Sequence, residues 1–169
     1  MRALSWPLLS IALVLSTSVP TAGEARPCDD ARHRQFDFWI GDWEVRTPDG
    51  ALAGTNRIVR IQGGCGLQEN WEGTSGMTGT SLNAYDPARD LWHQTWVDSH
   101  GSLLLLEGSF KDGRMILRGG ARPAREGTMA DRITWEAMGG GIVRQLWEQS
   151  TDGGRTWTVA FDGRYARRR

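Results

Sequence analysis

The sequence predicts an all-β protein: a single up-and-down antiparallel β-barrel of about ten strands, with a short N-terminal helix or plug at one end. Three observations carry this. First, no long segment shows the 3.6-residue apolar period of an amphipathic helix. Second, turn signals recur about every ten residues, between runs rich in Trp, Val, Ile, Leu and Thr. They are Pro48-Asp-Gly50, Gly63-Gly64, Gly73-Thr-Ser-Gly76, Asp86-Pro-Ala-Arg-Asp90, Ser99-His-Gly101, Lys111-Asp-Gly113, Gly139-Gly-Gly141 and Asp152-Gly-Gly154. Third, Phe36-Asp-Phe-Trp-Ile-Gly-Asp-Trp-Glu-Val45 opens the series with a Gly-x-Trp step, Gly41-Asp42-Trp43. Gly lets the chain bend sharply into a first strand, and the Trp then fills the closed end of a barrel, its indole N–H needing a partner. Sequential strands with tight turns close most simply into a barrel, because closure removes unpaired edges. A two-sheet sandwich is the runner-up, but it more often needs long Greek-key connections.

Taken in order, residues 1–25 read as a signal peptide and 26–169 as the barrel domain. Arg2 supplies the positive start, and the apolar run Trp6–Leu15 is too short to span a bilayer. Small residues follow, and cleavage after Gly23 or Ala25 fits them. An uncleaved membrane anchor is the alternative. Cys28 follows Ala-Arg-Pro, which is not a lipidation signal. The expected location is secreted or periplasmic. Residues 29–39 suit a short plugging helix. The expected strands are 42–47, 52–61, 65–73, 78–86, 91–98, 102–110, 113–120, 130–138, 141–150 and 155–166. The longest loop, 121–129, is expected at a barrel mouth.

The mature length of about 145 residues suits one domain with one core. Lys+Arg and Asp+Glu balance at 20 each, so there is no basic field for nucleic acid or anionic lipid. Once a leader is removed, no membrane association is expected. In an exported chain the two cysteines, Cys28 and Cys65, should pair. That bridge would tie the segment before the first strand to the start of the third, and loop closure would contribute about 4 kcal/mol.

Strand alternation groups the side chains by face. Trp43 and Val45 share one face of the first strand. Leu67, Glu69 and Trp71 share one on the third, and Trp92, Gln94 and Trp96 one on the fifth. On the ninth, Ile142, Arg144, Leu146 and Glu148 go together. If these faces line the lumen, it is aromatic, with Glu69, Gln94, Arg144 and Glu148 as polar groups. The expected ligand-binding set is therefore Glu69, Trp71, Gln94, Trp96, Arg144 and Glu148, serving a small-molecule ligand. A packed core is the alternative, and a one-residue slip would exchange the faces.

Other motifs read as structure. Ser150-Thr-Asp-Gly-Gly-Arg-Thr-Trp157 matches the Asp-box of sialidase-like propellers, but one copy in a short chain suits a hairpin whose Asp152 bonds nearby N–H groups. His33, His93 and His100 form no metal cluster. No nucleophile elbow, P-loop or dinucleotide fingerprint is visible. Arg167-Arg-Arg169 reads as a solvated chain end.

With Gly41-Asp42-Trp43 at the head of such a strand series, the chain resembles the calycin superfamily, the lipocalins and their relatives. More closely, it is similar to a family of secreted bacterial proteins of unknown function. That likeness rests on Phe36–Glu44, Gly63-Gly-Cys65, Gly79-Thr-Ser-Leu-Asn83, Gln94-x-Trp96-Val-Asp98 and Trp147-Glu-x-Ser150. The superfamily resemblance implies a barrel in which the Gly-x-Trp packs against an Arg or Lys of the last strand, with Arg164 the matching candidate. It makes Gly41, Trp43 and Arg164 structural. It also raises haem binding, for which His93 and His100 are the candidate axial ligands; solvated histidines are favoured, and no cofactor is expected. A few calycin-like barrels run isomerase or hydratase chemistry, for which Glu69 with Arg144 or Glu148 would be candidates. The favoured function is ligand binding in the lumen, ahead of an enzyme, a haem-type binder or a filled structural module.

Overall fold

A computed structural model describes residues 27–124 and 127–168. The expected leader, 1–25, lies outside the described residues. The strands are β1 (Gly41–Arg46), β2 (Leu52–Ile61), β3 (Gly66–Gly73), β4 (Thr78–Asp86), β5 (Leu91–Asp98), β6 (Leu103–Lys111), β7 (Arg114–Gly119), a two-residue β8 (Arg122–Pro123), β9 (Thr128–Gly139), β10 (Ile142–Ser150) and β11 (Thr158–Arg167). Each long strand pairs antiparallel with the next, β7 pairs with β9, and β11 returns to β1. The result is the expected closed ten-stranded up-and-down barrel, with β8 as a short flap on β9. The last strand starts three residues later than expected because the Asp-box turn occupies that stretch.

Alternation buries mainly apolar side chains, while the outer face carries charged residues together with exposed Leu82, Val97, Leu103 and Leu105. Trp43, Val45, Leu67, Trp92, Leu106, Leu117, Ile133 and Trp135 are buried, while Arg57, Arg89 and Arg118 face outward. Among the described residues no helix is long and apolar enough to cross a membrane.

The segment before β1 closes the barrel end at which β1 begins. It is a run of turns ending in a 3-10 turn, Asp37–Trp39, rather than the longer helix expected over 29–39. Alternating turn residues with bulky aromatics suits a strap more than a helix. Phe36 and Trp39 are fully buried and stack at 4.9 Å. Trp135 lies 5.2 Å from Phe36 and 5.3 Å from Trp39, and Trp92 lies 5.7 Å from Phe36. Trp43 Nε1 donates to Trp39 O at 2.9 Å, whereas the buried Trp39 and Trp135 indole N–H groups have no partner among the described residues. Cys28 and Cys65 form the expected disulfide, Cα–Cα 5.0 Å, which pins the strap to the β2–β3 turn. Arg34 reinforces it by donating to Gly64 O at 2.6 Å.

The residue that meets the Gly-x-Trp is Arg167, not Arg164. Trp43 is paired with Arg167 across β1 and β11, and the Arg167 guanidinium lies 4.1 Å over the Trp43 ring. Gly41 is required there: with φ +152, a Cβ on it would sit 1.7 Å from Arg167 Nη1. Arg164 points the other way, exposed, beside Arg46 and Arg144. The reason is parity: Tyr165 and Arg167 share the inward face of β11, so an even-numbered neighbour cannot reach Trp43. Arg167 remains exposed, but its guanidinium is engaged on the Trp43 ring instead of trailing as a free chain end. Arg167→Ala should lower unfolding free energy by about 0.5–1 kcal/mol through the lost cation–π contact. Arg164→Ala should change it by less than about 0.5 kcal/mol, both read by urea denaturation.

Candidate functional site

Above the aromatic plug the lumen widens into a cavity of about 280 Å³ that opens at the opposite end. Tyr165 forms part of its floor, its ring edge-on to Trp43 at 6.2 Å, so it separates the packed half from the open half. Glu69, Gln94 and Gln145 complete the floor. Leu104 and Ile133 form the middle wall. Trp71, Trp96, Trp147, Phe161, Met77 and Ala160 surround the mouth.

The floor is one hydrogen-bonded chain. Asn56 Nδ2 donates to Glu69 Oε1 at 2.6 Å, and Ser81 Oγ lies 2.6 Å from Glu69 Oε2. Asn83 Nδ2 donates to Ser81 Oγ at 2.9 Å, and Gln94 Nε2 to Asn83 Oδ1 at 2.7 Å. Tyr165 donates to Gln145 Oε1. All of Asn56, Glu69, Ser81, Asn83 and Gln94 are buried. Among the described residues no cation lies beside Glu69, and burial pushes its pKa up to about 7 although Ser81 and Asn56 pull the other way. Burial, and then the nearby Glu69, hold the Tyr165 hydroxyl well above its usual value, so it acts as a hydrogen-bond donor. Chemically, the floor offers one carboxyl able to exchange a proton near neutral pH, set among amides and hydroxyls.

Glycines decide where the mouth aromatics lie. A Cβ on Gly79 would sit 2.2 Å from the Trp96 ring, and one on Gly54 would meet Trp71 at 2.9 Å and the Glu72 carbonyl at 2.3 Å. The indoles therefore lie flat along neighbouring strands rather than across the lumen. Trp71 also meets Phe161 edge-on at 6.0 Å. Trp147 Nε1 donates to Asp131 Oδ1 at 2.9 Å, and Arg122 Nε bonds Asp131 Oδ2 at 2.9 Å, so the flap is tied to the mouth.

Of the expected ligand-binding set, Glu69, Trp71, Gln94 and Trp96 come together here. Arg144 and Glu148 do not. They lie on the outer face of β10, Arg144 bonded to Asp162 at 2.8 and 2.7 Å and Glu148 to Arg132 at 2.9 Å. The inward residues of that strand are Val143, Gln145 and Trp147. Both faces of β10 mix apolar and polar residues, and its ladders are bulged at Ile142/Val143 and Trp147/Glu148, so the pattern alone does not define the inner face. His93 lies outside the lumen, 2.8 Å from Thr95 Oγ1, and His100 is in the exposed β5–β6 turn. Neither reaches the cavity as an axial ligand would. Asp152 accepts from the N–H groups of Arg155 and Thr156 at 2.9 Å and from the Thr156 hydroxyl, which holds its pKa down to about 2 and makes the Asp-box a turn.

Sequence reasoning missed Gln145, Trp147, Phe161 and Tyr165, and the buried Asn56, Ser81 and Asn83. The alternation of β4, which puts Ser81 and Asn83 on one face, was the available signal. No family model matches the chain, and no curated protein matches it.

Two outcomes follow from this geometry. The folded-state pKa of Glu69 is raised above its usual 4.5, so the unfolded chain loses that proton first. The Glu69 contribution to stability therefore falls as pH rises from about 4.5 to about 7, by about 3 kcal/mol, and then levels off. Glu69→Gln removes the titrating group, keeps an amide oxygen that accepts from Asn56, and turns an N–H2 donor toward Ser81 Oγ. Its stability relative to wild type should thus climb across that window, as measured by denaturant unfolding at several pH values. Gly79→Ala should lower stability by about 1–3 kcal/mol and shift Trp emission, because the Trp96 ring must leave its place.

Proposed function

We propose that the chain is a secreted or periplasmic β-barrel, one domain over 26–169, that binds a small, partly apolar molecule in its lumen. The observation that supports this is the 280 Å³ cavity with aromatic walls, a polar floor and an open end. Ligand sites are concave and mostly apolar, with a few placed polar groups, and this one lies just below the usual range of about 300–1,000 Å³. A structural module would fill its lumen at the density of other interiors, without space of this size. Export is supported by the leader-like N-terminus and by the disulfide, a bond kept in oxidising compartments.

A second reading is proton-transfer catalysis on a lumen substrate. Glu69 favours it, since a carboxyl near neutral pH can act as acid or base. The Arg or His that would complete such a pair is not among the residues of the cavity wall.

Trp71, Trp96 and Trp147 make the protein its own reporter. Titration with a library of lipids, aromatics and pigments should give saturable quenching with at least one member, and that member should raise Tm as its concentration grows. Trp147→Leu should weaken that binding by about tenfold or more, since aromatic contacts carry much of the energy of such sites. Quenching by no member of the library would sink the proposal. Turnover of a bound compound, lost in Glu69→Gln, would select the enzyme reading.

A further inference from the structure

We propose that the lumen takes an amine: a compound with a cationic nitrogen head on a small aromatic or apolar body. This rests on the ligand-binding reading and names the class of its ligand.

The first argument is the charge of the wall. Among the residues that line the cavity, Glu69 is the only acid, and no Lys, Arg or His is present. The arginines closest in the fold are engaged elsewhere. Arg122 bonds Asp131 at 2.9 Å, Arg167 covers Trp43 at the sealed end, and Arg144 bonds Asp162 on the outer face. A carboxylate or phosphate head would have to leave water for a site with no counter-charge and a carboxyl nearby, which is unfavourable on both counts.

The second is the direction of the hydrogen bonds. Asn56, Ser81, Asn83, Gln94 and Tyr165 all use donors inside the floor network. On the cavity wall Glu69 keeps further lone pairs and Gln94 Oε1 accepts from no donor among the described residues, beside the Gln145 amide, whose N–H2 group is a donor. An ammonium brings only donors.

The third is the aromatic enclosure. Trp71, Trp96, Trp147 and Phe161 surround the space above the carboxyl, with Tyr165 beneath. Ring faces carry negative electrostatic potential and attract a cation within about 6 Å, most strongly when water is excluded. A cage of this kind with one acid at its base favours a cation over a neutral or anionic molecule of the same shape.

Binding then couples to protonation. Glu69 is largely neutral below about pH 7, so an ammonium must displace its proton, and amine affinity rises with pH through that range. The acids on elements packed against it do not compete, because Asp131 is bonded to Arg122 at the mouth and Asp162 to Arg144 outside.

The test uses three probes of one skeleton, 2-phenylethylamine, 2-phenylethanol and phenylacetate, titrated calorimetrically into the oxidised protein and into Glu69→Gln. At pH 8 the amine should bind about tenfold or more tighter than the alcohol, with the carboxylate weakest. The amine affinity should fall on moving to pH 5.5. In Glu69→Gln the advantage of amine over alcohol should collapse to within about threefold, and its pH dependence should vanish. Phenylacetate binding as tightly as the amine, or an amine advantage that survives Glu69→Gln, would overturn the proposal. If none of the three binds but a neutral or anionic library compound does, the amine assignment fails and the lumen-binding reading stands. If nothing binds at all, both fall.

Discussion

The aromatic stack of Phe36, Trp39 and Trp135 beneath Trp43 seals one end of the barrel, and the open half depends on that seal. Ten strands make a ring too wide to be filled by ordinary strand side chains alone. The strap before β1 supplies the missing volume as two fully buried rings, and the disulfide to the β2–β3 turn holds it in place. Trp43 joins strap to sheet by donating to Trp39 O, and Arg167 covers it from the far end of the chain. First strand, last strand and strap therefore meet at one indole, which is where closure of the ring is completed.

The other half stays open for a complementary reason. Large rings are present there too, but Gly54 and Gly79 let Trp71 and Trp96 lie along the sheet instead of across it. Trp147 is held by its bond to Asp131. The same residue type thus fills one end and lines the other, depending on whether the neighbouring strand offers a side chain or a glycine. The polar floor sits at the boundary. Buried polar groups usually pair, and Asn56, Ser81, Asn83 and Gln94 pair mainly with each other and with Glu69. Burial without a cation beside it raises the Glu69 pKa to about 7, so the carboxyl is about half ionised at neutral pH, a costly arrangement for stability.

Much of the fold was legible in the residues. Turn chemistry at Pro48-Asp-Gly50, Lys111-Asp-Gly113 and Gly139-Gly-Gly141 marked strand ends well, because Gly and Asp there meet local backbone demands. The inward faces of the third and fifth strands were legible as well, since Leu67, Glu69, Trp71 and Trp92, Gln94, Trp96 place bulky rings at every second or fourth position. The inner face of β10 was not, because Ile142 and Leu146 on one side and Val143 and Trp147 on the other give equal hydrophobic signals, and two bulges interrupt its pairing. Arg167 was hidden by parity and by its nearness to the end of the chain.

By itself, then, the sequence determined an all-β barrel of ten strands in a simple up-and-down order, the pairing of Cys28 with Cys65, and an aromatic lumen. Those features follow from local turn chemistry, side-chain alternation and cysteine count, which act over a few residues or over composition. Only the tertiary structure decided which arginine meets Trp43, that Arg144 and Glu148 face outward, and that Glu69 sits without a cation in the floor of the lumen. Each of these depends on register between strands distant in sequence. A shift of one residue there reverses every side chain, at little cost to the local pattern that the sequence displays.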